Sequence, residues 1–395
     1  MNKRGLACWV SLTLMASLLP GCSTPTWLGG KVDEMESHQF RAPDPGKGTG
    51  LRLVWKRGVA SSPDKHFVHP GRVAKDEDSI YVGTYQGRVA RVKRATGDIV
   101  WEYSLGSAVM GGVAVDGERV YAGTEQGTVV ALSRNTGVEV WRTRMNTAVD
   151  SAPLVVDGKV ILLTLDNRSH ALDATTGQPV WSHSTLAEGL VVMGSSTPTF
   201  ADGLVFVGYS SGEVFALRSD NGQKAWSDNL RVLGGSSELD LMQDVDASVV
   251  FSEVQGPRLG ARKAYMVNHQ GRLIACQAGT GNRIWEKRLS AVRQPLWSMD
   301  RLFVVDLEGY VSAIGADDGI ELWRVRLSDG QLTSPVLHKD RLVVADDQER
   351  LYTLDPASGR VLGRESLPGA VLSLPVVAAD GVYFWTNRGD LLRYE

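Results

Sequence analysis

Cysteine is scarce in this chain. Of 395 residues three are Cys. Cys8 and Cys22 fall in or beside an N-terminal export segment and Cys276 stands alone in an apolar run, so a disulfide framework is excluded. An excess of charge is missing too. Lys and Arg number 42 against 45 Asp and Glu, a formal net charge of -3, which offers nothing to nucleic acid. The marks of hydrolytic and haem chemistry are also absent: there is no Gly-x-Ser-x-Gly, no His-Glu-x-x-His, no Cys-x-x-Cys-His and no adjacent cysteine pair. His66 and His69 have no further ligand-type neighbours and read as solvated loop residues. No catalytic residue, metal ligand or cofactor is expected.

The N-terminus carries a targeting signal that must be set aside before the fold is considered. Lys3 and Arg4 precede an apolar run from Leu6 to Leu19, too short for a comfortable membrane span. The run ends in Leu19-Pro20-Gly21-Cys22, which resembles a bacterial lipobox and implies a signal peptide over 1–21 and a lipid on Cys22. Several acyl chains on one residue exceed what stable anchoring needs. Ser23, rather than Asp, then favours the outer membrane. Residues 22–50 contain Pro25, Pro43 and Pro45 and little apolar periodicity, the composition of a tether.

What the chain does have is a repeat. Segments such as QGRVARVKRATGDIVW and QGTVVALSRNTGVEVW end at Trp101, Trp141 and Trp181, forty residues apart, and continue to Trp226, Trp285 and Trp323. A seventh copy has Gly363 where Trp is due, and an eighth begins as RGDLLRYE and stops at Glu395. The isolated stretch LRLVW, ending at Trp55, supplies the missing last strand. The expectation is an all-β, eight-bladed propeller over 51–395, with four-stranded antiparallel blades of about 43 residues, closed by pairing of the N- and C-terminal strands. In six copies Trp follows Gly by four residues. On an outer strand such a Trp can lie over the next blade, a structural role expected for Trp55, Trp101, Trp141, Trp181, Trp226, Trp285 and Trp323. Asp116-Gly117, Asp157-Gly158, Asp202-Gly203 and Asp380-Gly381 mark the hairpin between the first two strands of a blade.

The motif Ala-x-Asp-x-x-Thr-Gly-x-x-x-Trp, nearest to complete in Ala171 to Trp181, resembles the tryptophan-docking repeat of the quinoprotein, or PQQ-dehydrogenase-like, propellers. That resemblance implies the fold and leaves function open between an enzyme, a ligand-binding periplasmic propeller and a scaffold. The repeat is broken at 234–250, at 252–263 and around Glu188 to Gly194, and interruptions of a regular array map to loops where partners bind. These segments resemble the partner-binding loops of the lipoprotein propeller subunits of outer-membrane β-barrel assembly machines, which combine an Asp-x-Asp loop with a leucine-rich loop ending in Arg-Gly from adjacent blades. The resemblance implies contacts by Asp244 and Asp246 and by Leu190, Val192 and Met193, with Met193 standing where the family has Arg. It further implies a non-catalytic role at the periplasmic face of the outer membrane. The partners would be the periplasmic domains of the central barrel-assembly protein, other subunits of that complex, and unfolded outer-membrane clients.

Overall fold

The repeats fold as eight four-stranded antiparallel sheets arranged as an eight-bladed β-propeller. The computed structural model describes residues 48–60, 71–185, 196–230, 245, 247–253, 262–268, 271–289, 291 and 293–395. Seven blades follow chain order, each running from a short inner strand to a six-residue outer one. Blade 1, for example, comprises Ala74–Lys75, Ser79–Gly83, Arg88–Lys93 and Ile99–Ser104. The second and third strands of each blade are almost wholly buried because both of their faces meet neighbouring blades. Between blades 5 and 6, Tyr265, Val267, Leu273 and Ala275 pack against Leu302, Val304 and Ile314. Cys276 lies in the adjacent layer as a buried free thiol, pushed up to about 12 by burial.

The outer strands are tied to the next blade by one device used seven times. Each indole lies against the glycine of the following blade's last turn, so that a Cβ there would stand 2.5–2.8 Å from the ring. The pairs are Trp55 with Gly97, Trp101 with Gly137, Trp141 with Gly177, Trp181 with Gly222, Trp226 with Gly281, Trp285 with Gly319 and Trp323 with Gly359. Each glycine also has a positive φ, from 71° to 75°, so both space and backbone demand Gly. Each indole Nε1 donates to a carbonyl in the same turn, as from Trp141 to Ala174 at 3.0 Å and from Trp226 to Ala278 at 2.8 Å. Within its own blade the Trp pairs with a small residue across a β-bulge: Ala131, Ala171, Ala216, Ala275 and Ala313 face five of them. That is why Ala belongs to the motif.

Blade 8 is closed by the N-terminus. Leu53–Gly58 is its outer strand, paired with Asp390–Tyr394 so that Trp55 faces Arg393 and Arg57 faces Leu391. Lys56 adds an ion pair to Asp390 at 2.7 Å. The packed chain starts earlier than composition implies. Thr49 is fully buried on blade 7, its Oγ1 donating to Glu365 at 2.8 Å and its carbonyl accepting from Arg341 at 2.5 Å and Thr353 at 3.0 Å. This explains Gly363. A Cβ there would overlap the Gly48 carbonyl, so the incoming backbone occupies the place where a seventh repeat Trp would start.

Candidate functional site

The direction of the strands fixes which loops share a face. In an antiparallel four-stranded blade, the chain leaving the fourth strand and the turn between strands two and three emerge on one side. The turns between strands one and two and between three and four emerge on the other. Residues 186–195 connect Pro179–Ser184, the last strand of blade 3, to Thr199–Ala201, the first of blade 4. Residues 230–249, which include positions 244 and 246, connect Lys224–Asn229 to Val250–Phe251 in the same way, from blade 4 to blade 5. Both therefore leave one face of the ring, on either side of blade 4. Leu190, Val192, Met193, Asp244 and Asp246 lie outside the described residues, as do Cys22, His66 and His69. The second interruption leaves the opposite face, because it joins Val250–Phe251 to Lys263–Val267, the first two strands of blade 5. Ser252 and Lys263 pair at its base, backbone to backbone at 3.0 Å. The two inserts of blade 5 are thus separated, and Val250, read from the sequence as loop, is the start of a strand.

The points where the two segments leave and rejoin the ring are held by specific bonds. Thr185 Oγ1 donates to Glu213 at 2.5 Å, and Ser211 Oγ donates to the same carboxylate at 3.0 Å. Ser196, at the far end of the first segment, bridges both backbone groups of Gly208, as Ser151 serves Leu163 one blade earlier. Asn268 Nδ2 donates to the Leu230 carbonyl at 2.9 Å where the second segment departs. Val245 restores the repeat at its other end, buried against Gly208 just as Val149 covers Gly123. Val149 follows its Trp by eight residues and Val245 by nineteen, so eleven extra residues sit in this one connection.

Between the two departures, blade 4 departs from the repeat. The turn position held by Thr84, Thr124, Thr164 and Thr386 in other blades is Tyr209 here. Its hydroxyl, buried and pushed well above the ordinary phenol range by desolvation, meets Ser169 at 2.9 Å and His183 Nδ1 at 3.2 Å. Phe215 packs against His183 and Tyr209 with centroids 4.7 and 5.5 Å apart. Burial holds His183 below its usual value, so the imidazole is neutral at pH 7 and the wedge carries no charge into the core. This aromatic wedge locks blades 3 and 4 together beneath both loop departures. Its trace in the sequence is Tyr209 at a position where four other blades have Thr.

The Asn268→Asp substitution is expected to destabilise the protein by about 1–3 kcal/mol, because an acceptor replaces the donor facing the buried Leu230 carbonyl. The bond that Asn268 Oδ1 accepts from Arg272 is kept, as Asp306 and Asp346 show at the matching positions. A urea titration followed by circular dichroism checks it.

The quinoprotein resemblance raises the question of a calcium-bound quinone. Among the described residues, no three His, Cys, Asp or Glu converge on a point. The cavity on the ring axis, about 480 Å³, is lined among the described residues by Arg72 with Val, Ala, Pro, Leu, Thr and Phe side chains and no carboxylate. These residues do not fit that group.

Comparison with known proteins gives the family. The sequence matches the family described as "Outer membrane protein assembly factor BamB" over residues 20–109, 85–308 and 307–395. It is 38% identical over 348 residues to the BamB of Pseudomonas aeruginosa, covering 87% of this chain and 89% of that protein. The match to BamB of Escherichia coli K12 is 31% over 193 residues, 49% of this chain and 47% of the relative. With Legionella pneumophila it is 30% over 206 residues, 52% of each, so for these relatives the chain spans about half their length. Among solved structures, BamB from Moraxella catarrhalis superposes with a TM-score of 0.77 at 23% identity, covering 87% of this chain and 99% of that one. A quinohemoprotein alcohol dehydrogenase from Comamonas testosteroni reaches 0.70 at 14% identity, covering 88% and 76%; these likenesses concern the fold alone. Coverage of nearly the whole propeller by the family match and by the Pseudomonas relative places this chain in the family of the outer membrane protein assembly factor BamB.

Proposed function

We propose that this chain is a non-catalytic lipoprotein scaffold of the outer-membrane β-barrel assembly machinery, anchored through Cys22 at the periplasmic face of the outer membrane. It docks the periplasmic region of the central barrel-assembly protein and helps present unfolded outer-membrane clients. The observation that carries this reading is topological. The segment with Leu190, Val192 and Met193 and the segment with Asp244 and Asp246 leave the same face, flanking blade 4, whose turn is stiffened by a buried aromatic wedge. A closed ring of this kind loses little entropy when its loops dock, because their roots are already fixed. An apolar segment beside a pair of carboxylates suits a partner with an apolar patch rimmed by basic residues. Client strands have a second place to dock, since the outer strands expose apolar residues such as Val100, Val140, Val180 and Leu322 along an unpaired edge.

The test is co-purification from detergent-solubilised membranes. Asp244→Ala combined with Asp246→Ala is expected to reduce recovery of the central barrel protein roughly tenfold or more, as for the loss of charged contacts in an interface. The melting curve should stay unchanged. Full recovery of the partner with the double variant removes these carboxylates from the interface.

A further inference from the structure

The ring axis holds a cation, Arg72, that has no counter-ion among the described residues. Arg72, just before the inner strand of blade 1, reaches across the channel. Its Nη2 donates to Ser248 Oγ at 2.8 Å and to Gln294 Oε1, residues that precede the inner strands of blades 5 and 6. Both acceptors are neutral. Its Nε and Nη1 groups have no acceptor among the described residues, and no ion pair to Arg72 is formed there. A guanidinium with neutral partners and two free donor groups is an incomplete site, since buried charges are ordinarily paired.

The cavity beside it is built from five consecutive blades. Val73 and Ala74, Val113 and Ala114, Pro153 and Leu154, Thr199 and Phe200, and Phe251 contribute in turn, an arrangement that only the axis of the ring allows. Its wall is otherwise apolar and partly aromatic, with Thr197 and Thr199 the other polar residues; Thr199 Oγ1 is buried and makes no hydrogen bond. A volume of about 480 Å³ falls in the range of small-molecule sites.

We propose that this axial cavity binds a small organic monocarboxylate with an apolar body. The carboxylate would sit on the free Nε and Nη1 edge of Arg72, and the body would lie against Phe200, Phe251, Pro153 and Pro198. A guanidinium offers a carboxylate paired, planar donors. Among the described residues that line the cavity there is one cation and no second, which favours a single negative charge, and no carboxylate to repel it. Burial lowers the Arg72 pKa to about 10, so the guanidinium remains charged at neutral pH and its attraction for an anion is strengthened by poor solvation. The loop-mediated docking proposed above does not involve this cavity, and either reading stands without the other.

Isothermal titration of the full-length protein with 2-naphthoate, and separately with the neutral 2-naphthamide, tests the proposal. Saturable binding of the acid is expected, with the amide weaker by at least about tenfold, the discrimination a charge-assisted hydrogen bond gives. Arg72→Met should reduce acid binding by a similar factor and bring acid and amide level. Should that variant fail to fold, the acid–amide comparison on the unaltered protein still decides. Absence of saturable acid binding at millimolar ligand, equal binding of acid and amide, or undiminished binding by Arg72→Met overturns the proposal and leaves Arg72 as a strut across the ring.

Discussion

Gly363→Trp, which restores the repeat's own residue, is expected to destabilise the protein rather than improve it, by roughly 3–5 kcal/mol. The slot is already filled. Any side chain at 363 overlaps the Gly48 carbonyl, and an indole would expel the segment that carries Thr49. Overpacking a rigid site costs about 1–3 kcal/mol. The displaced Thr49 would then forfeit its bonds with Glu365, Arg341 and Thr353, each worth about 0.5–1.5 kcal/mol. Against a typical total stability of about 5–15 kcal/mol, that is a large share. Urea unfolding followed by far-ultraviolet circular dichroism measures it, and Gly363→Ala should fall between the two. An unchanged midpoint for the Trp variant would mean that Gly48–Thr49 is not seated on blade 7 in solution.

Trp141→Ala is expected to cost about 3–5 kcal/mol, the range for deleting a large buried aromatic. Trp141 is 8% exposed, and its ring covers Gly177 while its Nε1 bonds the Ala174 carbonyl. It also meets Tyr121 with centroids 5.9 Å apart, so its loss opens a gap between blades 2 and 3. Trp141→Phe separates the contributions: it keeps much of the area and gives up the hydrogen bond, for about 1 kcal/mol. Denaturant midpoints for the two variants should be spaced accordingly. Equal midpoints would show that the polar bond, and not the covering of the glycine, ties the blades together.

Much of this fold could be read from the sequence because a repeat protein states its packing rule many times. Gly and Trp four residues apart recur because one needs the other: the ring lies where a Cβ would be. The one apparent failure of the rule, Gly363, became intelligible only with the N-terminal segment in place. A trace of it was visible, since Gly50 before Trp55 is an eighth turn glycine of the series, with one residue too many before the Trp. The bulge between Leu53 and Trp55 is the one the other outer strands also have, so the extra residue lies before it, between Gly50 and Leu53. The candidate interface was legible only as interruptions of the period. Which face each interruption served required strand parity, and that separated the hairpin after Phe251 from the loops around blade 4. The axial cavity left no local signal at all. Arg72, Ser248 and Gln294 are far apart in the chain and meet only because blade 1 stands across the ring from blades 5 and 6.

The pairing of Leu53–Gly58 with Asp390–Tyr394 also sets an order in time. The earliest strand to leave a ribosome must wait for the last, so the seam joins residues separated by nearly the entire polypeptide. Contacts that distant are slow to form. Seven blades can assemble from neighbouring sequence while the eighth stands with a raw edge, an aggregation-prone interval that ends only when the final strand arrives.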